Sequence, residues 1–141
     1  MRDAPSAVVV VAEDDDELRA LLCDAVSARG WRVVELEDVA ELDDYVAFVV
    51  RHGAPHGLPD AVLTDVRMPG GSGLDVIARA REAGVHCPFV VLTAFPGPDI
   101  EARVRTLGST WLVGKPAPLK VVCDTLAHAL AKSEAAIRAE A

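Results

Sequence analysis

The stretch Val8-Val9-Val10-Val11-Ala12-Glu13-Asp14-Asp15-Asp16-Glu17-Leu18 passes directly from a continuous apolar run into a run of acids and then into helical periodicity. A strand with one face in water alternates apolar and polar residues. An unbroken β-branched run instead fits a strand buried on both faces. Beyond the acids, Leu18, Leu21, Leu22, Ala25 and Val26 recur at three- and four-residue steps, which predicts a helix with one apolar face, and Gly30 stops it.

Working outward, the same strand and helix unit repeats. Apolar runs at 33–36, 61–64, 89–92 and 110–113 are predicted as strands two to five. Asp38 with Glu41 reads as a capping box before Val39, Leu42, Val46 and Val49, and Ser72 with Asp75 repeats it before Leu74, Ile77 and Ala78, with closure at Gly84. Asp99 is the predicted cap of a shorter helix ending at Gly108. Pro118 suits the first position of a fifth helix whose apolar stripe is Leu119, Val122, Leu126 and Leu130. Short strands alternating with helices predict an α/β domain, a parallel sheet with helices on both faces.

The 141 residues are 51% hydrophobic and 26% charged, the balance of one domain with an ordinary core. Lys plus Arg number 14 against 22 Asp plus Glu, and the net charge of -8 argues against a nucleic-acid footprint or an anionic membrane surface. No apolar run approaches the roughly 20 residues of a spanning helix, and Met1-Arg2-Asp3 does not open a secretory signal. A cytoplasmic location is expected. Cys23, Cys87 and Cys123 are odd in number and widely spaced, and His52, His56, His86 and His128 are unpatterned, so neither a zinc site nor a disulfide framework is expected. The cysteines read as small buried hydrophobes, the histidines as loop or helix-surface residues, and Trp31 and Trp111 as packing residues. Residues 52–60, with Gly53, Pro55, Gly57 and Pro59, have the composition of a surface loop.

In a parallel sheet the carboxyl ends of all strands fall on one edge, where ligands bind. Strand one delivers Glu13 and Asp14 there, strand three Asp65, strand four Thr93, and strand five is followed by Lys115. With strands one and three as neighbours, spaced by roughly 4.8 Å, Asp65 comes close enough to Glu13 or Asp14 for the carboxylates to share a cation. Oxygen-only ligands favour Mg²⁺. A carboxylate nucleophile, a metal, a fixed ammonium and a hydroxyl are together the requirements for phosphoryl transfer to a carboxylate. Taken singly, the acids at 13–17 could merely complement a helix dipole, and Asp65 or Thr93 could be turn residues; Lys115 before a helix amino terminus opposes the dipole and needs another partner. Gly114-Lys115-Pro116 fails as a phosphate loop, since Ser109 and Pro116 stand where glycine and Ser or Thr are required. Gly70, Gly71 and Gly73 have the wrong spacing for a dinucleotide fingerprint.

Four segments at successive strand ends, 8–15, 64–74, 91–94 and 114–116, resemble the receiver domains of two-component response regulators, the CheY-like superfamily. The likeness runs from about Val8 to Leu130. It implies a doubly wound, five-stranded parallel sheet of order 2-1-3-4-5, a flavodoxin-like three-layer sandwich. It divides the chain into a tail at 1–7, a receiver domain at 8–131 and an Ala-rich helical extension at 132–141. It makes Asp65 the phosphoacceptor, Glu13, Asp14, Asp65 and the Arg67 carbonyl the Mg²⁺ ligands, Lys115 the partner of the phosphoryl group and Thr93 the hydroxyl that moves to it, with Ala94 small beside it. The Lys115-Pro116 bond is expected to be cis.

The family's aromatic switch position is Leu112 here, with Trp111 one place earlier. Ala117 replaces a commoner Phe, and Pro96 and Pro98 stiffen the loop after Thr93. The implied function is a signalling switch: a histidine kinase or histidine phosphotransfer protein donates the phosphoryl group, transfer and hydrolysis are self-catalysed, and an output partner reads the result. Two alternatives stand beside it. One is a non-phosphorylated pseudo-receiver acting as a protein-interaction module, and the other is a Mg²⁺-dependent phosphatase with an aspartyl nucleophile. No output domain is expected after the fifth helix, so the chain acts through partners or is a piece of a longer regulator. A last helix running to Ala139 would protrude and offer a homodimer contact.

Overall fold

The computed structural model describes residues 6–52 and 59–140, with side chains as far as residue 133. Seven strands and five helices follow in the order β1 (Val8–Ala12), α1 (Asp16–Ala28), β2 (Arg32–Leu36), α2 (Val39–His52), β3 (Ala61–Asp65), β4 (Arg67–Met68), β5 (Gly71–Ser72), α3 (Gly73–Glu82), β6 (Phe89–Thr93), α4 (Pro98–Leu107), β7 (Thr110–Gly114) and α5 (Leu119–Glu140). The main sheet is wholly parallel with order β2-β1-β3-β6-β7, which is the expected 2-1-3-4-5 once the small antiparallel β4-β5 hairpin is set aside.

The five apolar runs become the five sheet strands, most of them one residue longer than the runs predict. β1, β3 and β6 are buried on both faces, as their unbroken apolar sequences require. Alternate side chains divide between two cores. Val9, Val11, Leu63, Val90 and Leu92 pack with Leu22 and Val26 of α1 and Val122 and Leu126 of α5. Val10, Val62, Phe89 and Val91 pack with Leu42 and Val46 of α2, Leu74 and Ile77 of α3 and Val104 of α4. The three layers follow from that period of two.

Helix ends differ in detail from the sequence reading. Asp15 caps α1 by accepting from the Leu18 amide, and Asp38 Oδ1 accepts from the Glu41 amide while the Glu41 carboxylate turns back to the Glu37 amide. Ser72 caps α3, but Asp75 does not complete a box; its carboxylate pairs with Arg103 of α4 instead. Asp99 is not a cap. Gly97 holds that position with no side-chain bond, Pro98 opens α4, and Asp99 sits in the first turn. Pro118 precedes α5, its carbonyl accepting from the Val121 and Val122 amides.

The bond between Lys115 and Pro116 is cis. Cys123 is buried, whereas Cys23 and Cys87 are only partly so, and burial pushes both of those thiols up to about 11. His52 and His86 are exposed, and His128 stands edge-on to Trp111 at 6.1 Å. The predicted loop at 52–60 falls largely outside the described residues, as does His56. No helix among the described residues is long and apolar enough to cross a membrane.

Candidate functional site at the carboxyl edge of the sheet

Parallel pairing sets β1, β3, β6 and β7 side by side, and their carboxyl ends carry the polar residues to one place. Glu13 follows β1, Asp65 ends β3, Thr93 ends β6 and Lys115 follows β7. Continued ladder bonds fix these ends: the Glu13 amide donates to the Leu36 carbonyl at 3.1 Å, the Val66 amide to Leu92 at 2.9 Å, and the Lys115 amide to Thr93 at 2.6 Å.

The resulting cluster is buried. Asp65 is 3% exposed and Glu13 is 1% exposed, whereas Asp14 faces solvent. One carboxylate oxygen from each of the three lies within 4.8 Å of the others. Lys115 Nζ is 2.6 Å from Asp65 Oδ1 and 3.3 Å from Glu13 Oε1. The contact with Asp65 is close as an ion pair but lies off the direction of a hydrogen bond, so Oδ1 is a buried oxygen without an aligned donor. Burial raises the Asp65 pKa above the ordinary carboxylate value, and Lys115 offsets only part of that rise.

Three acids and one ammonium leave the ionised cluster with two uncompensated negative charges. Like charges held this close repel, and the single ammonium cannot balance them. A divalent cation with oxygen ligands would. The donor set, all carboxylate, suits a hard ion rather than a thiophilic one.

The remaining predicted residues stand around the cluster. A small cavity of about 100 Å³ is lined by Asp65, Arg67, Leu92, Thr93, Ala94, Phe95 and Lys115. Thr93 is buried, and its Oγ1 accepts from the Phe95 amide at 3.1 Å. Arg67 lies in β4, paired with Ser72, with its side chain exposed. Leu112 is not at the cavity. It lies on β7 opposite Val91, packed into the core under α2, α3 and α4, while Trp111 points to the other face.

Three contributors escape a sequence reading. Phe95 is 78% exposed and forms part of the cavity wall. Gly73 opens α3 so close to the site that a Cβ there would lie 2.3 Å from the Asp65 carbonyl oxygen. Arg19 of α1 donates from Nη1 to the Glu13 carbonyl at 2.9 Å. Gly73 lies within the 64–74 segment, but its close approach to Asp65 appears only in the fold, and nothing local to Arg19 reveals its target.

A family model described as the response regulator receiver domain matches residues 9–127. Among curated proteins, the chain is 33% identical over 108 residues to the virulence transcriptional regulatory protein PhoP of Salmonella typhimurium, covering 77% of this chain and 45% of that one. It is 31% identical over 117 residues to the transcriptional regulatory protein PdtaR of Mycobacterium tuberculosis, covering 81% and 53%. It is 27% identical over 125 residues to a cyclic di-GMP phosphodiesterase of Thermotoga maritima, covering 86% and 30%. The chain therefore spans about half or less of the length of these relatives. In fold it is similar to the signal receiver domain of a putative LuxO repressor protein from Vibrio parahaemolyticus, with a TM-score of 0.81 at 19% identity over 97% of this chain and 99% of that one. With the family pattern covering residues 9–127, the chain belongs to the response regulator receiver domain family of two-component systems.

Proposed function

We propose that Asp65 accepts a phosphoryl group from the phosphohistidine of a histidine kinase or histidine phosphotransfer protein, and that the phosphorylated chain changes its binding to an output partner. The observation that carries this reading is the buried Asp65 Oδ1, without an aligned donor, beside both an ammonium and two further acids. Within the chain, 8–131 is the receiver domain, flanked by 1–7 and 132–141.

Glu13, Asp14, Asp65 and the Arg67 carbonyl would hold Mg²⁺, which when bound supplies neutralisation of the charge on the transferred group. An Asp65 carboxylate oxygen attacks phosphorus as the P–N bond of the donor breaks, and the electron pair returns to the imidazole. Lys115, already beside Asp65, follows the negative charge onto the phosphoryl oxygens. The Thr93 hydroxyl exchanges its bond with the Phe95 amide for one to the phosphoryl group, and Ala94 leaves the approach clear. That movement pulls on β6, and Leu112 on the adjoining β7 carries it to the α4 side of the core. Water later cleaves the acyl phosphate, returning Asp65 and free phosphate.

Intact-mass measurement after treatment with acetyl phosphate and Mg²⁺ tests the proposal. Wild type should gain one phosphoryl group, and Asp65→Asn none. A wild type that takes no phosphoryl group would favour the pseudo-receiver, while turnover of a generic phosphate ester would favour the phosphatase.

A further inference from the structure

Glu13 is an almost fully buried acid, and its usefulness depends on where its carboxylate points. Its amide is fixed by the β2 ladder, at 3.1 Å from the Leu36 carbonyl. Its two carboxylate oxygens meet the Asp14 amide at 3.1 Å and Lys115 Nζ at 3.3 Å. The remaining polar atom, the carbonyl, accepts from Arg19 Nη1 at 2.9 Å.

Arg19 is itself held on three sides. Nη2 meets Asp16 Oδ1 at 2.7 Å and Glu37 Oε1 at 3.3 Å, and Nε meets Glu35 Oε1 at 3.3 Å. The side chain is only 11% exposed, and the neighbouring carboxylates raise its pKa further, so the guanidinium stays charged. A planar fork with five donors can be clamped by acids from α1 and from the end of β2 while still presenting one N–H to a carbonyl; a lysine ammonium cannot span those positions.

We propose that Arg19 is a positioning residue for the cation site, aiming Glu13 and Asp14 by gripping the loop between β1 and α1. This rests on the Mg²⁺ reading above. The rival reading is that Arg19 is only a charge. A cation near a cation site repels the incoming ion, so as a mere charge its removal should tighten Mg²⁺ binding; as a positioning group its removal should weaken it. The two readings have opposite signs.

Calorimetric titration of the full chain with Mg²⁺ decides between them. Arg19→Met should bind Mg²⁺ about tenfold or more weakly, the scale on which groups supporting metal ligands act. Arg19→Lys should not restore it. In a Glu13→Gln background the further change to Met should have a smaller effect than in wild type, because the share of the Arg19 effect carried by the Glu13 carboxylate is already lost while that carried by Asp14 remains. Unchanged or tighter binding in Arg19→Met, or full rescue by Lys, would overturn the proposal.

A second measurement needs no metal. The Asp14 amide, which donates to Glu13 Oε2, should exchange its hydrogen several-fold faster in Arg19→Met, while β6 amides stay unchanged; equal Asp14 exchange would also overturn it. Where wild type binds no Mg²⁺, the reading of the site fails, and the exchange experiment still decides the role of Arg19. Arg19→Lys, which keeps the charge, carries both measurements if the Met variant does not fold.

Discussion

Lys115 and Arg81 are cations at opposite edges of one sheet, and their surroundings are opposite in kind. Lys115, at the carboxyl edge, has two buried carboxylates beside it, and one of their oxygens still lacks an aligned donor. Arg81, near the end of α3 at the amino edge, has no carboxylate partner among its hydrogen bonds. It donates instead to the carbonyls of Val85, Cys87, Leu107, Gly108 and Ser109, and its guanidinium lies 5.2 Å from the ring centre of Phe89. Those carbonyls belong to the loop before β6 and to the end of α4 with the turn that follows it. The same turn holds Ser109 at φ 46, a left-handed conformation that a non-glycine residue adopts at a cost. The satisfied cation makes a frame, and the acid-rich cluster carries an excess of negative charge that could take a cation.

Replacing each cation by methionine separates the two roles. Arg81→Met releases several carbonyls and the strained turn together, and should cost about 3 kcal/mol of stability. Neither Mg²⁺ nor a lower pH should recover it. Lys115→Met leaves Asp65 and Glu13 buried without a cation; because the Lys115 side chain is itself 28% exposed, the cost falls below the roughly 3–5 kcal/mol of breaking a fully buried pair, to about 2 kcal/mol at neutral pH. That loss should shrink on adding Mg²⁺ or on protonating the acids. Urea unfolding at two pH values, with and without Mg²⁺, measures both variants. An equal response of the two to Mg²⁺ would erase the distinction between frame and site.

Gly73 ties the frame to the site. Alanine is ordinarily better than glycine within a helix by up to about 1 kcal/mol. Here its Cβ would lie 2.3 Å from the Asp65 carbonyl oxygen and 3.1 Å from Thr64 Oγ1, and the first of these is backbone that cannot turn aside. Overpacking of this kind costs about 1–3 kcal/mol, so Gly73→Ala should be net destabilising by about 1 kcal/mol or more. It should also slow phosphorylation of Asp65. An alanine variant as stable as wild type would mean that α3 moves freely against β3.

The contrast also explains which parts of the molecule were legible in its sequence. Strands buried on both faces write continuous apolar runs, so β1, β3 and β6 stood out, and once they are parallel the residues after them must share an edge. Glu13, Asp14, Asp65, Thr93 and Lys115 were accessible for that reason. Contacts between helices leave no such periodic mark. Asp75 has the spacing of a capping partner yet pairs with Arg103, 28 residues away, and Arg81 reaches carbonyls at comparable separation. The β4-β5 hairpin has two residues per strand, too few for any period to register. Leu112 stands at the switch position that the resemblance implies, but only packing shows that it faces α4 while Trp111 faces α5.

The smallest expected effect is the most specific to the cluster. Burial raises the Asp65 pKa above its ordinary value of 3.8, so the folded chain holds that proton more tightly than the unfolded chain does. The stability associated with protonated Asp65 is fully present below the unfolded value and is lost as pH rises through the folded value. At neutral pH ionised Asp65 is therefore a net cost, and Asp65→Asn should be more stable than wild type by about 1 kcal/mol, the scale of one unfavourably placed buried group. The advantage should vanish as pH falls below the ordinary carboxylate range, and it should narrow at pH 7 when Mg²⁺ is added, because the ion relieves wild type and has less to relieve in the amide. Thermal unfolding of both proteins across that pH range reads the effect directly. An Asn variant less stable than wild type at pH 7 would mean that Lys115 already satisfies Asp65, and that the edge with the carboxylates is as settled as the edge with Arg81.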